Sequence, residues 1–166
     1  MATIIAAIAA NRAIGYQNNL VITDPLDMHM FKLTTMFYTV IMGRKTAESL
    51  PKGFLEGRSN IVITSAYHKP PMHRKTINYS TSLENALTSV REQFVIGGAS
   101  IYKEAIDKPL VTKMIITEYE FTPEHADSFF PEITNDWELT KSIPYMAIIK
   151  QSDKPVYASI NTYRRN

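Results

Sequence analysis

Asp27 is the acidic side chain whose setting best suits proton chemistry. Asp24-Pro25 reads as a helix start, with Asp24 as N-cap and Pro25 at the first helical position. Positions 27, 30, 31 and 34 then share one helical face, which sets the carboxylate beside Met30 and Phe31. Two readings stay open. If that face closes a pocket, burial raises the acid's pKa, and it can hold and protonate a nitrogen heterocycle. Otherwise the acid merely complements the helix dipole and reciprocates the cap.

Two further segments suit phosphate. In Gly43-Arg44-Lys45-Thr46 a strand hands over to a helix, where unpaired backbone N–H groups stand beside two cations. Thr64-Ser65, at the end of the next strand, adds hydroxyls near the same sheet edge. This is not a P-loop, since the glycines and the Lys-Ser/Thr pair are missing, and a solvated cationic helix end is the alternative. Val95-Ile96-Gly97-Gly98-Ala99 is a strand, two glycines and a helix start; glycine there permits close ligand approach, or simply a tight turn. It is not the dinucleotide G-x-G-x-x-G.

Other chemistries find no signature. With no cysteine there is no disulfide framework, thiolate metal site or cysteine nucleophile, and a reducing compartment is suited. His29, His68, His73 and His125 lack paired metal spacing, and His68 and His73 read as loop residues. No G-x-S-x-G elbow occurs.

The elements that must position these groups alternate between short apolar runs and short helical ones. Thr3–Ala9 reads as a buried strand, 10–23 as a polar loop, and 24–35 as a helix. Thr39–Met42, Asn60–Thr64, Phe94–Ile96 and Val111–Tyr119 read as strands. Lys45–Leu50, Ser82–Val90 and Ser100–Ile106 read as helices, while Trp137–Lys150 and Pro155–Tyr163 close the chain as two long strands. Met28, Met30, Phe31, Met36 and Phe37 read as core. Early alternation implies parallel pairing and the closing pair an antiparallel edge. The predicted class is α/β: one domain over 1–166, a mixed, mostly parallel sheet of about eight strands, and about four helices.

Composition agrees. The 166 residues are 45% hydrophobic and 20% charged, enough for a buried core and against disorder. A net charge of +2 gives no global field for nucleic acid or an anionic membrane. Ile4–Ala10 looks like part of a signal peptide, but no Lys or Arg precedes it, and a buried strand is the better reading. No run reaches membrane-spanning length, and Asn78-Tyr79-Ser80 reads as a coincidental glycosylation triplet.

In order along the chain, these pieces resemble the dihydrofolate reductase family from end to end. The likeness rests on Ile4-Ile5-Ala6-Ala7 with Ile14-Gly15, Pro25-Leu26-Asp27 with Phe31-Lys32, and Ile41 through Thr46 with Glu48-Ser49. Leu55 through Asn60, Val95-Ile96-Gly97-Gly98 with Ile101-Tyr102, Thr117, and Asp127 with Phe130-Pro131 extend it.

The resemblance implies NADPH as cofactor, dihydrofolate as substrate and a cytoplasmic monomer open to antifolate inhibitors. Hydride would pass from nicotinamide to pterin C6 while N5 gains a proton. Asp27 would grip the pterin 2-amino group and ring N3, with Thr117 hydrogen-bonded to it. Ile5, Ala6, Met28, Phe31, Leu50, Leu55, Ile96 and Tyr102 would line the substrate, and Arg58 would pair with its glutamate α-carboxylate. Arg44, Lys45, Thr64 and Ser65 fall where the family binds the 2′-phosphate, and Thr46, Gly97, Gly98 and Ala99 lie along the pyrophosphate. Ala7, Ile14, Gly15, Gly43, Ile96, Ser100, Ile101 and Tyr102 complete the cofactor side. The Gly97-Gly98 bond is expected to be cis, and loop 10–23, with Leu20 and Ile22, to close over the nicotinamide.

The chain also departs from the family. Val21-Ile22 replaces a usual Pro-Trp, so the indole N–H that holds a water near the acid is gone. Ser100 stands where an arginine often reaches the phosphates, and Ala47 replaces a bulkier side chain. An active enzyme with an altered lid and weaker diaminopyrimidine binding is expected. The rivals are a reductase of another pterin or pyrimidine, opposed by Arg58, and a silent module of the same fold, opposed by Asp27, Arg58 and Thr117 together.

Overall fold

A computed structural model describes residues 1–65 and 77–166. Its elements run β1 (Ala2–Ile8), β2 (Ala13–Tyr16), β3 (Asn19–Leu20), α1 (Pro25–Thr35), β4 (Thr39–Gly43), α2 (Arg44–Ser49) and β5 (Ser59–Ile63). They continue with β6 (Ile77–Ser80), α3 (Leu83–Ala86), β7 (Gln93–Gly97), α4 (Ala99–Ala105), β8 (Val111–Tyr119), β9 (Ser128–Phe129), β10 (Trp137–Ala147) and β11 (Val156–Arg165).

The eight-stranded sheet has the order β10-β11-β8-β1-β7-β4-β5-β6. Strands β8 through β6 run parallel, and β11 and β10 join antiparallel, giving the mixed α/β sheet expected. The β1 run is apolar on both faces because it is covered on both, as a central parallel strand must be. One face packs Ile4, Ala6 and Ile8 into the main core; the other, through Ile5 and Ala7, meets the clusters beside the site.

Several expectations are corrected. Loop 10–23 is not plain loop: β2 and β3 pair within it, and β9 joins as a third strand. The helix expected over Ser82–Val90 is confined to Leu83–Ala86. The Gln93 side chain accepts from Thr88 N–H at 2.7 Å and donates to Ala86 C=O at 2.9 Å, filling the groups another turn would have used. Strand β6 was not foreseen. Met28, Met30 and Phe37 are exposed rather than core, because α1 packs through one face only. Phe37, 89% exposed, follows the helix end at φ 68° and donates its N–H to Gly57 C=O. His68 and His73 lie outside the described residues.

Candidate active site

The carboxyl ends of β8, β1, β7 and β4 stand side by side, where an open α/β sheet collects its ligands. Register aligns Ala7 with Thr117 and Ile4 with Val95, so the ends of β1, β7 and β8 meet. Met42 aligns with Gly97, bringing Gly43–Thr46 to Gly97–Ala99.

Helix α1 crosses one side of this edge. Asp24 caps it, Oδ1 accepting the Leu26 N–H at 3.0 Å, with Pro25 at the first position as predicted. One turn on, Asp27 is half-buried and its Oδ1 accepts the Thr117 hydroxyl at 2.5 Å, a contact joining residues 90 positions apart. Burial pushes the Asp27 pKa above the ordinary carboxylate range; the Thr117 hydrogen bond opposes this, and the Asp24 charge adds to it. Burial and the Thr117 bond distinguish this acid from a solvated residue that only complements the helix dipole.

Ile5, Phe31, Leu50, Leu55 and Ile96 gather in one apolar cluster, as the predicted substrate wall requires. Ala47, buried in that same cluster, occupies space a larger side chain would fill. Other predicted residues sit differently. Ala6 faces the opposite core with Ile4, so only its backbone reaches the site. Met28 and Met30 are both exposed on α1. Tyr102 and Ile101 are core residues: the Tyr102 hydroxyl donates to Ile5 C=O at 2.8 Å, and Ile101 packs where a Gly43 Cβ would stand.

Arg58 is buried at 9% exposure. Its Nη1 donates to Glu56 C=O at 2.5 Å and lies 3.9 Å from Met36 Sδ, while Nε has no partner. Burial pulls its pKa down. A buried charged donor lacking an acceptor costs free energy that an incoming carboxylate would recover.

On the cofactor side the residues fit a dinucleotide. Gly43 and Gly98 head α2 and α4 with no side-chain cap, which leaves first-turn N–H groups for a ligand. A Cβ on Gly98 would stand 3.3 Å from Thr46 Oγ1, so both glycine and hydroxyl border one narrow cradle. The Gly97-Gly98 peptide is cis, as expected. Arg44 and Lys45 are exposed at the α2 start, Arg44 pairing with Glu48 at 2.7 Å, and Ser65 is exposed just beyond β5. Thr64 is buried, its N–H donated to Ser80 C=O. Ala7, Ile14, Gly15, Ile96, Ala99 and Ile101 stay covered or half-covered, and Ser100 is exposed.

The lid segment is anchored at both ends. Asp127 donates its N–H to Gly15 C=O at 3.0 Å and accepts the Gln17 N–H at 2.9 Å. Val21 and Ile22 are buried with Tyr119, whereas Leu20 at the tip is 65% exposed. A cleft of about 600 Å³ lined by Tyr16, Leu20, Val21, Phe121, His125 and Gln151, among others, opens against this segment and contains neither Asp27 nor the glycines.

Sequence reasoning missed one group here. The second oxygen of Asp24, Oδ2, accepts the hydroxyls of Tyr119 at 2.8 Å and Tyr145 at 2.6 Å, and those two hydroxyls are 3.2 Å apart. No local pattern marks tyrosines 95 and 121 positions away.

Comparison with known proteins is consistent along the chain. The family model described as dihydrofolate reductase matches residues 1–165. The chain is 44% identical over 134 residues to dihydrofolate reductase of Neisseria gonorrhoeae, covering 79% of each chain. It is 36% identical over 146 residues to dihydrofolate reductase of Bacillus subtilis, covering 86% of this chain and 83% of the relative. With that of Candida albicans it shares 34% over 151 residues, 82% of this chain and 79% of the relative. A carboxylate tied to Thr117, an apolar wall, an under-partnered arginine and a glycine cradle thus sit on a chain that belongs to the dihydrofolate reductase family.

Proposed function

We infer that this chain reduces 7,8-dihydrofolate to 5,6,7,8-tetrahydrofolate using NADPH. The observation that carries the reading is Asp27, half-buried at the end of an apolar wall and held by Thr117. Bound NADPH supplies the hydride that arrives at pterin C6.

The residues divide the remaining work. Asp27 orients the pterin through its 2-amino group and N3, and its negative charge favours a proton at N5. Thr117 fixes the carboxylate's orientation. Ile5, Phe31, Leu50, Leu55 and Ile96 exclude water along the ring and its linker. Arg58 takes the glutamate α-carboxylate through its guanidinium. Gly97, Gly98, Ala99 and Thr46 hold the pyrophosphate, and Arg44, Lys45, Thr64 and Ser65 the 2′-phosphate. Leu20 is the exposed lid residue that closes over the nicotinamide, while Ile22 acts as an apolar anchor.

The family reading extends to a cytoplasmic monomer of one domain, 1–166. Diaminopyrimidine antifolates bind more weakly than to relatives with Pro-Trp and a bulky residue at position 47. Inhibition as tight as that of an ordinary bacterial enzyme would refute this last point.

The primary test follows loss of reduced-nicotinamide absorbance with NADPH and dihydrofolate. Turnover that collapses in Asp27→Asn at neutral pH supports the reading. No turnover by the wild-type chain, or full activity of the asparagine variant, removes it.

A further inference from the structure

Two acids, not one, stand where the start of α1 meets β8. Strand β8 carries Thr117 and Tyr119 two positions apart, hence on one face and about 6.6–6.8 Å apart along the strand. The start of α1 carries Asp24 and Asp27 three positions apart, roughly 5–6 Å between β-carbons. The spacings match, so the elements meet in two rungs: Thr117 to Asp27 at 2.5 Å and Tyr119 to Asp24 at 2.8 Å. Tyr145 of β10 closes the second rung at 2.6 Å.

We propose that Asp24 is an electrostatic positioning residue for the reaction, acting on the site through Asp27. This rests on the functional reading above. Asp24 is 3% exposed and accepts every hydrogen bond it makes: from Leu26 N–H, Tyr119 and Tyr145. An ionised carboxylate accepts in this way, and two phenols plus a helix N-terminus compensate its burial. Neither Asp24 nor Asp27 has an ion-pair partner among the described residues, so nothing cancels the charge that Asp24 brings. At this separation, within a Debye length of roughly 8 Å, salt screens the pair little.

The groups facing the pair are accounted for by element. They are Tyr119 on β8, Tyr145 on β10 and Tyr102 on α4, each held in its protonated form by burial first and by the carboxylates second. On the lid side stand apolar Val21 and Ile22; His29 and Lys32 of α1 are exposed. A negative neighbour raises the Asp27 titration and, when substrate is bound against the Asp27 carboxylate, makes pterin N5 hold its proton to higher pH. That is the direction the reaction needs, and it acts where Ile22 has replaced the usual indole.

A purely structural Asp24 would cap the helix and bind two tyrosines with no effect on titration. Asp24→Asn separates the readings, since asparagine caps comparably but carries no charge. Expected are an Asp27 carboxyl titration, read by carbon-13 NMR of the ligand-free protein, that moves to lower pH, and a pH profile of kcat whose decline begins earlier. At neutral pH kcat falls roughly three- to tenfold, less than in Asp27→Asn, with KM for dihydrofolate little changed. An unmoved titration and profile alongside a lowered Tm would leave only the cap. If that variant does not fold, Asp24→Ser, a comparable cap without charge, decides by the same readout: an Asp27 titration moved to lower pH supports the proposal, and one left at the wild-type midpoint overturns it. The NMR readout needs no turnover, so the two failures are distinguishable: an inactive wild type sinks the functional reading, whereas an unmoved Asp27 titration in an active enzyme sinks this proposal alone.

Discussion

Replacing Arg58 by leucine should cost substrate affinity and almost nothing else. The guanidinium is desolvated, its Nη1 donating to Glu56 C=O with Met36 Sδ at 3.9 Å and its Nε unpaired. An unsatisfied buried donor costs about 1–3 kcal/mol, and a hydrogen bond to a charged group is worth about 1.5–3 kcal/mol. These overlap at about 1.5–3 kcal/mol, so a tail carboxylate on the Arg58 guanidinium gains roughly 10- to 150-fold in kcat/KM. The contact lies on the unreactive end of the substrate, so the loss belongs in KM with kcat held. Steady-state NADPH oxidation on dihydrofolate, repeated on dihydropteroate lacking the glutamate, measures it. Only the first substrate should suffer. The fold should meanwhile tolerate the change, because a buried, under-bonded cation has been replaced by an apolar group of similar reach. Equal losses on both substrates, or an unchanged KM, would refute the assignment of Arg58 to the tail.

Four further outcomes follow from the same structure. Asp27→Asn should abolish most turnover at neutral pH and recover part of it in acid, where substrate arrives already protonated, as a pH-resolved kcat would record. That variant should also be more stable at neutral pH: a raised acid contributes stability below its unfolded pKa and loses it as pH rises through the folded value, so the gain in Tm should appear above the ordinary carboxylate range and vanish below it. Gly98→Ala sets a Cβ 3.3 Å from Thr46 Oγ1, and calorimetric titration should show NADPH binding weakened about tenfold, ~1.4 kcal/mol, with Tm little altered. Gly57→Ala, at φ +73° with Met36 Sδ 2.5 Å from the new Cβ, should lose about 1–3 kcal/mol in denaturant unfolding.

The parts of the fold legible beforehand are those where local chemistry and global burial agree. Apolar runs such as Val111–Tyr119 can be little but strand, and Asp24-Pro25 fixes a helix start whatever follows. Strand β6 gave no such signal, since only Ile77 of its four residues is buried at the sheet margin. The short hairpin β2–β3 and the long-range pair β2–β9 each rest on two-residue contacts, too few to leave a period. Met28, Met30 and Phe37 misled because hydrophobicity alone does not say which side of a one-faced helix is covered.

The site divides along the same line. Asp27, Arg58, Thr117 and the glycines could be matched because a family pattern carries them, but the pattern is silent on what else touches them. A capping aspartate is recognised locally by the oxygen that accepts the Leu26 N–H, and that motif leaves its other oxygen undescribed. Burying a carboxylate forces the fold to supply donors for both oxygens, and those come from whatever strands pass nearby. Here they are Tyr119, two residues beyond Thr117 on the same strand face, and Tyr145 from the antiparallel edge. A buried cap beside a working acid is therefore a place to look for a second charge, because the requirement that satisfies its second oxygen also holds that charge against the first.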